Sequence, residues 1–344
     1  MRVLITGGAG FIGSSVVYIL LGAGHDVGVI DDLSTGKIEN VHPAAWFRRL
    51  DILDPALGPL MEEFAPDAVV HLAAQASVSA SIADPERDWA VNVDGTRRVA
   101  AASAGAGAMR VLSASSAAVY GDPEVVPLPE TATKAPLSPY GRSKLQAEAE
   151  LLTELLGSDV DFASFRFANV YGPRQDAAGE GGVVAIFLDA IARHCEPVIF
   201  GDGSQTRDFI YVSDIAMAIS RALESDSALR FGGGEPESGN EPTVAAYNIS
   251  TGTETSVNRL TDYMRGVTHY LGGFSHAPSR GGDIVRSALD PAKAAQVFGW
   301  RAGVQLERGL ATTWRWFSAE SQAGESRADE SSAPGAGDAD RNAQ

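Results

Sequence analysis

The sequence predicts an α/β fold: a doubly wound parallel sheet joined to a second, smaller α/β lobe. Three observations lead there. Short β-branched runs such as "RVLIT", "DVGVI" and "DAVVHLAA" alternate with segments of helical length, which is the rhythm of βαβ units. A glycine-rich turn, "TGGAGFIG", joins the first such run to the first helical segment. After Gly172 the rhythm changes, with a long polar connection and shorter, mixed elements.

In order, "RVLIT", the glycine turn, a helix and "DVGVI" form the first βαβ unit. "DAVVHLAA" continues as a strand, "WAVNVDGTRRVAAASAGAG" as a helix and "MRVLSASS" as a strand. The helix "SPYGRSKLQAEAELLTELLG" and one buried strand, "VDFASFRFANVYG", complete the first part. Beyond "GPRQDAAGEGG" come a helix ("VVAIFLDAIARHC"), a strand ("PVIFG") and a loop ("DGSQTRDF"). "VSDIAMAISRALES" reads as helix and "AAYNIST" as strand, with the surface loop "GGGEPESGNEPT" between them. The predicted first domain is 1–168, with return segments at about 208–228 and 244–252; the second lobe is 169–207 and 253–317. Residues 318–344 carry six acidic and two basic side chains and almost no large apolar ones, so a disordered acidic tail is expected.

Of the 344 residues 44% are apolar, enough for a real core, and 44 Asp and Glu against 27 Lys and Arg give a net charge of −17. Such a surface repels nucleic acid and anionic membrane, so neither is an expected partner. A phosphate-bearing ligand must then be held by a few local Arg groups or by backbone amides. Cys195 is the only cysteine, which excludes an intrachain disulfide, and it reads as a packing residue. Glycines interrupt the apolar N-terminus and no run approaches a membrane span, so a soluble cytoplasmic protein is expected. No metal site is expected.

Gly7, Gly10 and Gly13 lie between strand and helix, where they permit a tight turn and an anion at the helix N-terminus. The next strand ends in Asp31 and Asp32. An acid there accepts ribose hydroxyls and repels a 2′-phosphate, favouring NAD over NADP. Asp31 is the preferred residue; Asp32 is available to cap the following turn instead. Asp51 and Ile52, in "LDILD", fall at the expected end of the third strand, placed for adenine, although Asp51 reads equally well as a turn residue. Tyr140 precedes Lys144 by four residues, one helical turn, so phenol and ammonium share a face. A free phenol titrates near ~10, and work as a base near neutrality needs roughly 4 kcal/mol of preference for the phenolate. One cation about 5–6 Å away contributes on the order of 3 kcal/mol at an effective dielectric of ~20. A second cation, such as an oxidised nicotinamide, would supply the rest.

Ten motifs stand in order: "TGGAGFIGS", "IDDLSTG", "HLAAQASVSASIADP", "NVDGT", "SSAAVYGD", "SPYGRSK", "FRFANVYGPRQ", "GDGSQTRDFIYVSDIA", "YNISTG" and "RGGD". With them, residues 1–317 resemble the extended short-chain dehydrogenase/reductases, and within these the NAD-dependent nucleotide-sugar 4-epimerases of the UDP-glucose type. The resemblance implies a Rossmann domain that keeps NAD bound and a chain that pairs as a homodimer through the helices of the first domain. It gives catalysis to Tyr140, Lys144 and Ser116. It gives the cofactor Gly7, Gly10, Phe11, Ile12, Gly13, Asp31, Asp32, Asp51, Ile52, Leu72, Ala73, Ala74 and Asn92, together with Tyr140 and Lys144, and has Asn92 also steady the active-site helix. The UDP-sugar falls to Ser116, Asn169, Val184, Val198, Phe200, Arg207, Arg280 and Asp283.

The implied reaction inverts C4 of a UDP-hexose (UDP-glucose and UDP-galactose) through a transient 4-keto sugar, with Tyr140 as base and NAD taking and returning the hydride. Ala117 and Ala118 stand where dehydratases of the family place an Asp–Glu pair, so dehydration and decarboxylation are disfavoured. Ser287 falls where a small residue admits an N-acetyl group, which keeps UDP-N-acetylglucosamine as an alternative substrate. A non-catalytic NAD-binding regulator would be expected to have lost Tyr140, Lys144 or Ser116, and all three are present.

Overall fold

The computed structural model describes residues 1–178, 182–231, 245–279 and 284–332. Its main sheet begins with β1 (Arg2–Thr6), which the glycine turn joins to α1 (Phe11–Gly22), and continues with β2 (Asp26–Asp31) and β3 (Trp46–Arg49). α2 (Leu57–Phe64) leads to β4 (Ala68–His71). Two short helices, α3 (Val78–Ala83) and α4 (Pro85–Trp89), come before a π-helical turn at Ala90–Asp94 and α5 (Gly95–Gly105). Then follow β5 (Arg110–Ser116), α6 (Pro139–Leu155) and β6 (Asp161–Phe167).

All pairings in this sheet are parallel, in the order β11-β6-β5-β4-β1-β2-β3, where β11 is Ala246–Ile249. The strands read as unbroken apolar runs because both faces are covered. Along β1, Val3 and Ile5 join a core with Val16, Val17, Leu20, Ile215 and Ile219, while Leu4 joins Ile30, Val69, Leu151 and Leu155 on the other face. Strand order reverses between β1 and β4, and the loops after them open the crevice where such sheets bind ligands.

The run read as one strand, "VDFASFRFANVYG", is two. At Ala168 the chain leaves the main sheet, and β7 (Asn169–Tyr171) pairs instead with β10 (Phe209–Tyr211). Here α7 (Val183–Ala192), β8 (Val198–Phe200) and β9 (Thr206–Arg207) precede β10; α8 (Val212–Leu223), packed on α1, follows it. After β11 come β12 (Thr255–Ser256), α9 (Val257–Thr268), β13 (Ser275–Ala277), α10 (Ala292–Phe298) and α11 (Leu306–Ser332). The second lobe has its own core, built on Tyr171, Val184, Phe187, Leu188, Leu260 and Leu310.

Two expectations need correction. The chain after Ser318 continues α11 to Ser332, because its Ala, Glu, Gln and Arg residues favour helix and the anchored turns before them remove the nucleation cost. Residues 333–344 lie outside the described residues, as does the whole of "GGGEPESGNEPT". Cys195 is exposed rather than packed, since the chain has already turned out of α7 at Arg193 and at His194, whose φ is +57°.

The lobes are tied at Asp208, which is fully buried. Its carboxylate accepts the Thr251 N–H (3.0 Å), the Thr251 hydroxyl (2.6 Å), the Gly252 N–H (2.9 Å) and the Leu289 N–H (3.4 Å). Asp208→Ala would leave these donors buried without an acceptor. The expected outcome is a loss of about 2–4 kcal/mol of unfolding free energy, read from urea midpoints at unchanged m-value. A loss below about 0.5 kcal/mol would contradict this tie.

Candidate active site

The glycine turn is made by contact. Gly7 has φ +73° and lies so close to the loop after β4 that a Cβ would sit 2.6 Å from the Ala73 nitrogen. A Cβ on Gly13 would collide with the Gly7 carbonyl oxygen, which leaves α1 starting directly at the turn. No side chain caps α1 at Gly10, so the first-turn N–H groups of Phe11, Ile12 and Gly13 are presented to an anion. Asp31 is buried at the end of β2 and accepts the Ala9 N–H and the Leu33 N–H, each at 2.9 Å. Burial pushes its carboxyl up while those two bonds oppose the shift. Each oxygen keeps capacity for a further donor, as ribose hydroxyls would require. Asp32 instead caps a turn, accepting the N–H and the hydroxyl of Ser34 at 2.8 and 2.7 Å. Asp51 does likewise with the Leu53 N–H at 2.9 Å, just past β3, and Ile52 is buried beneath Gly95.

Leu72, Ala73 and Ala74 form the opposite wall, where the Leu72 N–H donates to the Thr6 carbonyl (3.0 Å) and the Ala73 N–H to the Thr6 hydroxyl (3.4 Å). Beneath them lies a chain that sequence reading missed. The Thr96 hydroxyl donates to the Asn92 carbonyl at 2.6 Å, so it can only accept from His71 Nε2, 3.1 Å away. His71 Nδ1 is then the acceptor of the Thr6 hydroxyl at 2.7 Å. His71 is 3% exposed, and burial, with help from Lys144, lowers its pKa to about 3. It is a neutral link between the glycine turn and the π-helical turn.

That turn places Asn92, whose Nδ2 faces the Gln75 carbonyl (3.0 Å), Asp88 Oδ1 (3.1 Å) and Ser143 Oγ (3.1 Å) while its Oδ1 accepts the Gln75 N–H (3.0 Å). π-bulges recur at functional positions because one extra residue re-aims a side chain. Asn92 thereby fastens the π-helical turn to α6.

α6 is started by Ser138, whose hydroxyl accepts the Gly141 N–H at 3.0 Å, with Pro139 at its first position. The Tyr140 N–H donates to the buried Ser81 hydroxyl at 3.1 Å. Lys144, 6% exposed, donates to the Ala114 carbonyl at 3.0 Å, on the strand that ends in Ser116. Gly141 permits this approach, because a Cβ there would lie 2.6 Å from the Ala118 carbonyl oxygen. The Ser116 hydroxyl accepts the Ala118 N–H at 3.1 Å, and its proton has no acceptor among the described residues. One turn beyond Lys144, buried Glu148 takes the Ser115 hydroxyl (2.5 Å) and a two-pronged ion pair from Arg166 (2.8 and 2.6 Å). Ser115 thereby ties the end of β5 to α6.

In the second lobe, Asn169 opens β7 and Arg207 donates to the carbonyls of Thr206 and Ile284, both at 2.8 Å. The Val184 side chain is packed in the lobe's core, so only its backbone, in the first turn of α7, is available to a ligand. Val198 is 40% exposed and Phe200 half-buried on β8, and Ser287 is buried. Arg280 and Asp283 lie outside the described residues.

A family model described as the NAD dependent epimerase/dehydratase family matches residues 3–232, more than half of the chain. The chain belongs to this family. The glycine cradle and Asp31 fit the dinucleotide that gives the family its name. The UDP-glucose 4-epimerase of Mycolicibacterium smegmatis is 42% identical over 94% of this chain and all of its own length. The crystal structure of Thermotoga maritima UDP-glucose 4-epimerase with UDP-glucose has a TM-score of 0.84 at 39% identity, covering 93% of this chain and 99% of that one. The Thermus thermophilus UDP-glucose 4-epimerase in complex with NAD has a TM-score of 0.82 at 36% identity, covering 92% and 99%. Among the described residues, no group of His, Cys, Asp and Glu could hold a metal ion, and no helix is long and apolar enough to cross a membrane.

The depressed basicity of His71 has a measurable sign. Above pH 6.5, its ordinary pKa, folded and unfolded chains both hold it neutral. Below that, the unfolded chain takes up a proton that the folded one refuses until about pH 3. Stability from this group is therefore lost as pH falls across that window, by about 1.4 kcal/mol per unit. His71→Gln should flatten the acid limb of Tm against pH relative to the parent; an identical limb would contradict a buried neutral imidazole.

Proposed function

We propose that this member of the family inverts C4 of UDP-hexoses, interconverting UDP-glucose and UDP-galactose, with NAD held in the crevice between β1 and β4. The observation that carries the reading is the Ser116 hydroxyl, with a proton to give, at the end of the strand that anchors Lys144 of the Tyr140 helix. Ser116 donates to the substrate's 4-oxygen. Tyr140 takes the 4-hydroxyl proton and later returns it. Lys144 supplies a nearby positive charge that favours the phenolate. Bound NAD would supply the reversible oxidation and reduction of C4.

Phe11, Ile12 and Gly13 offer N–H groups to the pyrophosphate, and Asp31 takes the ribose hydroxyls. Asp32 and Asp51 border the same end of the sheet through their turns. In the second lobe Asn169, the backbone at Val184 and Arg207 face the diphosphate, with Val198 and Phe200 at the uracil and Arg280 and Asp283 completing the grip. Arg suits this because its planar fork binds two oxygens at once. With the nucleotide gripped, the keto sugar turns over within the site. Ala117 and Ala118 supply no acid for elimination, which supports epimerisation over dehydration. Ser287 is small and supports a second substrate, UDP-N-acetylglucosamine. The chain works as a cytoplasmic homodimer, joined through α5 and α6, in galactose metabolism.

Tyr140→Phe should keep the fold and retain NAD, yet lower turnover of UDP-galactose to UDP-glucose by about 10²–10⁴-fold. An undiminished rate, or an intact protein unable to retain NAD, overturns the proposal. Side-by-side assays of the two hexoses and their N-acetyl forms separate the two substrates. Light scattering should return twice the 36.0 kDa chain mass; a monomer at working concentration contradicts the homodimer.

A further inference from the structure

The proposed mechanism gives no use to Asp88, a buried acid of α4 next to the π-helical turn. Asp88 is 1% exposed, although its helix neighbours Glu86, Arg87 and Trp89 face solvent. Everything that reaches its carboxylate donates. Gln75 Nε2 and Asn92 Nδ2 donate to Oδ1 at 2.8 and 3.1 Å, and Asn92 Nδ2 also meets Ser143 Oγ, whose own proton goes to the Tyr140 carbonyl at 3.0 Å. Two N–H donors converge on one oxygen of Asp88, an arrangement that suits a carboxylate. Burial pushes the Asp88 carboxyl up, and Ser143, Gln75 and the Lys144 charge oppose it.

The titratable groups around it are few. From α6 come Tyr140 and Lys144, the latter next in sequence to Ser143. From α3 comes none, and from β4 only His71, which is neutral. On its own side, Asp84, Glu86 and Arg87 are exposed, and Asp94 of the π-helical turn pairs with Arg97 at 2.7 Å.

We propose that Asp88 is the fixed counter-charge of the Tyr140–Lys144 pair: a positioning residue that holds Asn92, and through it Ser143 and the turn of Tyr140, in place and sets the pH range in which the pair works. This rests on the reading of Tyr140 as the base. A carboxylate beside the pair favours the protonated form of both partners, so its removal moves both transitions to lower pH.

Asp88→Asn keeps the shape and one acceptor while removing the charge. Two profiles are measured on the NAD-loaded protein: kcat/KM against pH, and tyrosinate absorbance against pH, the latter as the difference from the same protein carrying Tyr140→Phe. Both are expected to shift to lower pH by about half a unit to one unit, with Asp88→Glu restoring the parent midpoints. A rate lowered equally at every pH with midpoints unmoved overturns the proposal and leaves Asp88 a purely structural residue. If Asp88→Asn does not fold, Asp88→Ser, which leaves room for water, carries the same test. The tyrosinate titration needs no turnover. A protein that fails to epimerise but shows the shift loses the reaction and keeps the counter-charge; one that epimerises without the shift does the reverse.

Discussion

The site depends on how closely α6 can lie on β5. One hydrogen bond, from the buried Lys144 ammonium to the Ala114 carbonyl at 3.0 Å, fixes that distance and carries Tyr140 to the end of the strand where Ser116 waits. An ammonium costs several kcal/mol to desolvate, so it stays there only if the surroundings are rigid and polar. Gly141 supplies the space, and the Glu148–Arg166 pair with Ser115 clamps the next turn of the helix to β5 and β6. Asn92 and Ser143 fasten its other side to the π-helical turn. Three clamps thus hold the helix that carries Tyr140 against β5, β6 and the π-helical turn.

The second constraint is where the chain changes sheets. Ala168 still donates to Ile249 of the main sheet, while Asn169 donates to Asp208 of the small one. A one-residue switch hands Asn169 from the main sheet to the small one, and Asp208 then holds both returning segments, Thr251–Gly252 and Leu289. Arg207, the residue before that anchor, is thereby aimed by the same junction that joins the lobes.

Much of this could be read in the chain itself. The glycine turn, the acid closing β2, the Tyr140–Lys144 spacing and Ser116 carry their geometry locally, within a turn or two of helix or at a strand end. What escaped was long-range. His71 sits in an apolar strand and looks like core until Thr6 and Thr96 are brought to its two nitrogens. Asp88 is one of several charges in "DPERDW" and is singled out only by the fold, although its i, i+4 spacing to Asn92 was a usable sign. The strand break at Ala168 has no signature at all, since "RFANVYG" is uniformly strand-like. The helix past Ser318 was missed because composition was weighed without the anchored turns that precede it.

Cys195 offers something practical. It is the sole thiol in the sequence, it stands in the open just beyond α7, and none of the catalytic chemistry touches it. A fluorophore or spin label attached there reports from one known address on the small lobe, with no cysteine to engineer away first, and so makes the sugar-nucleotide grip observable in the otherwise unaltered protein.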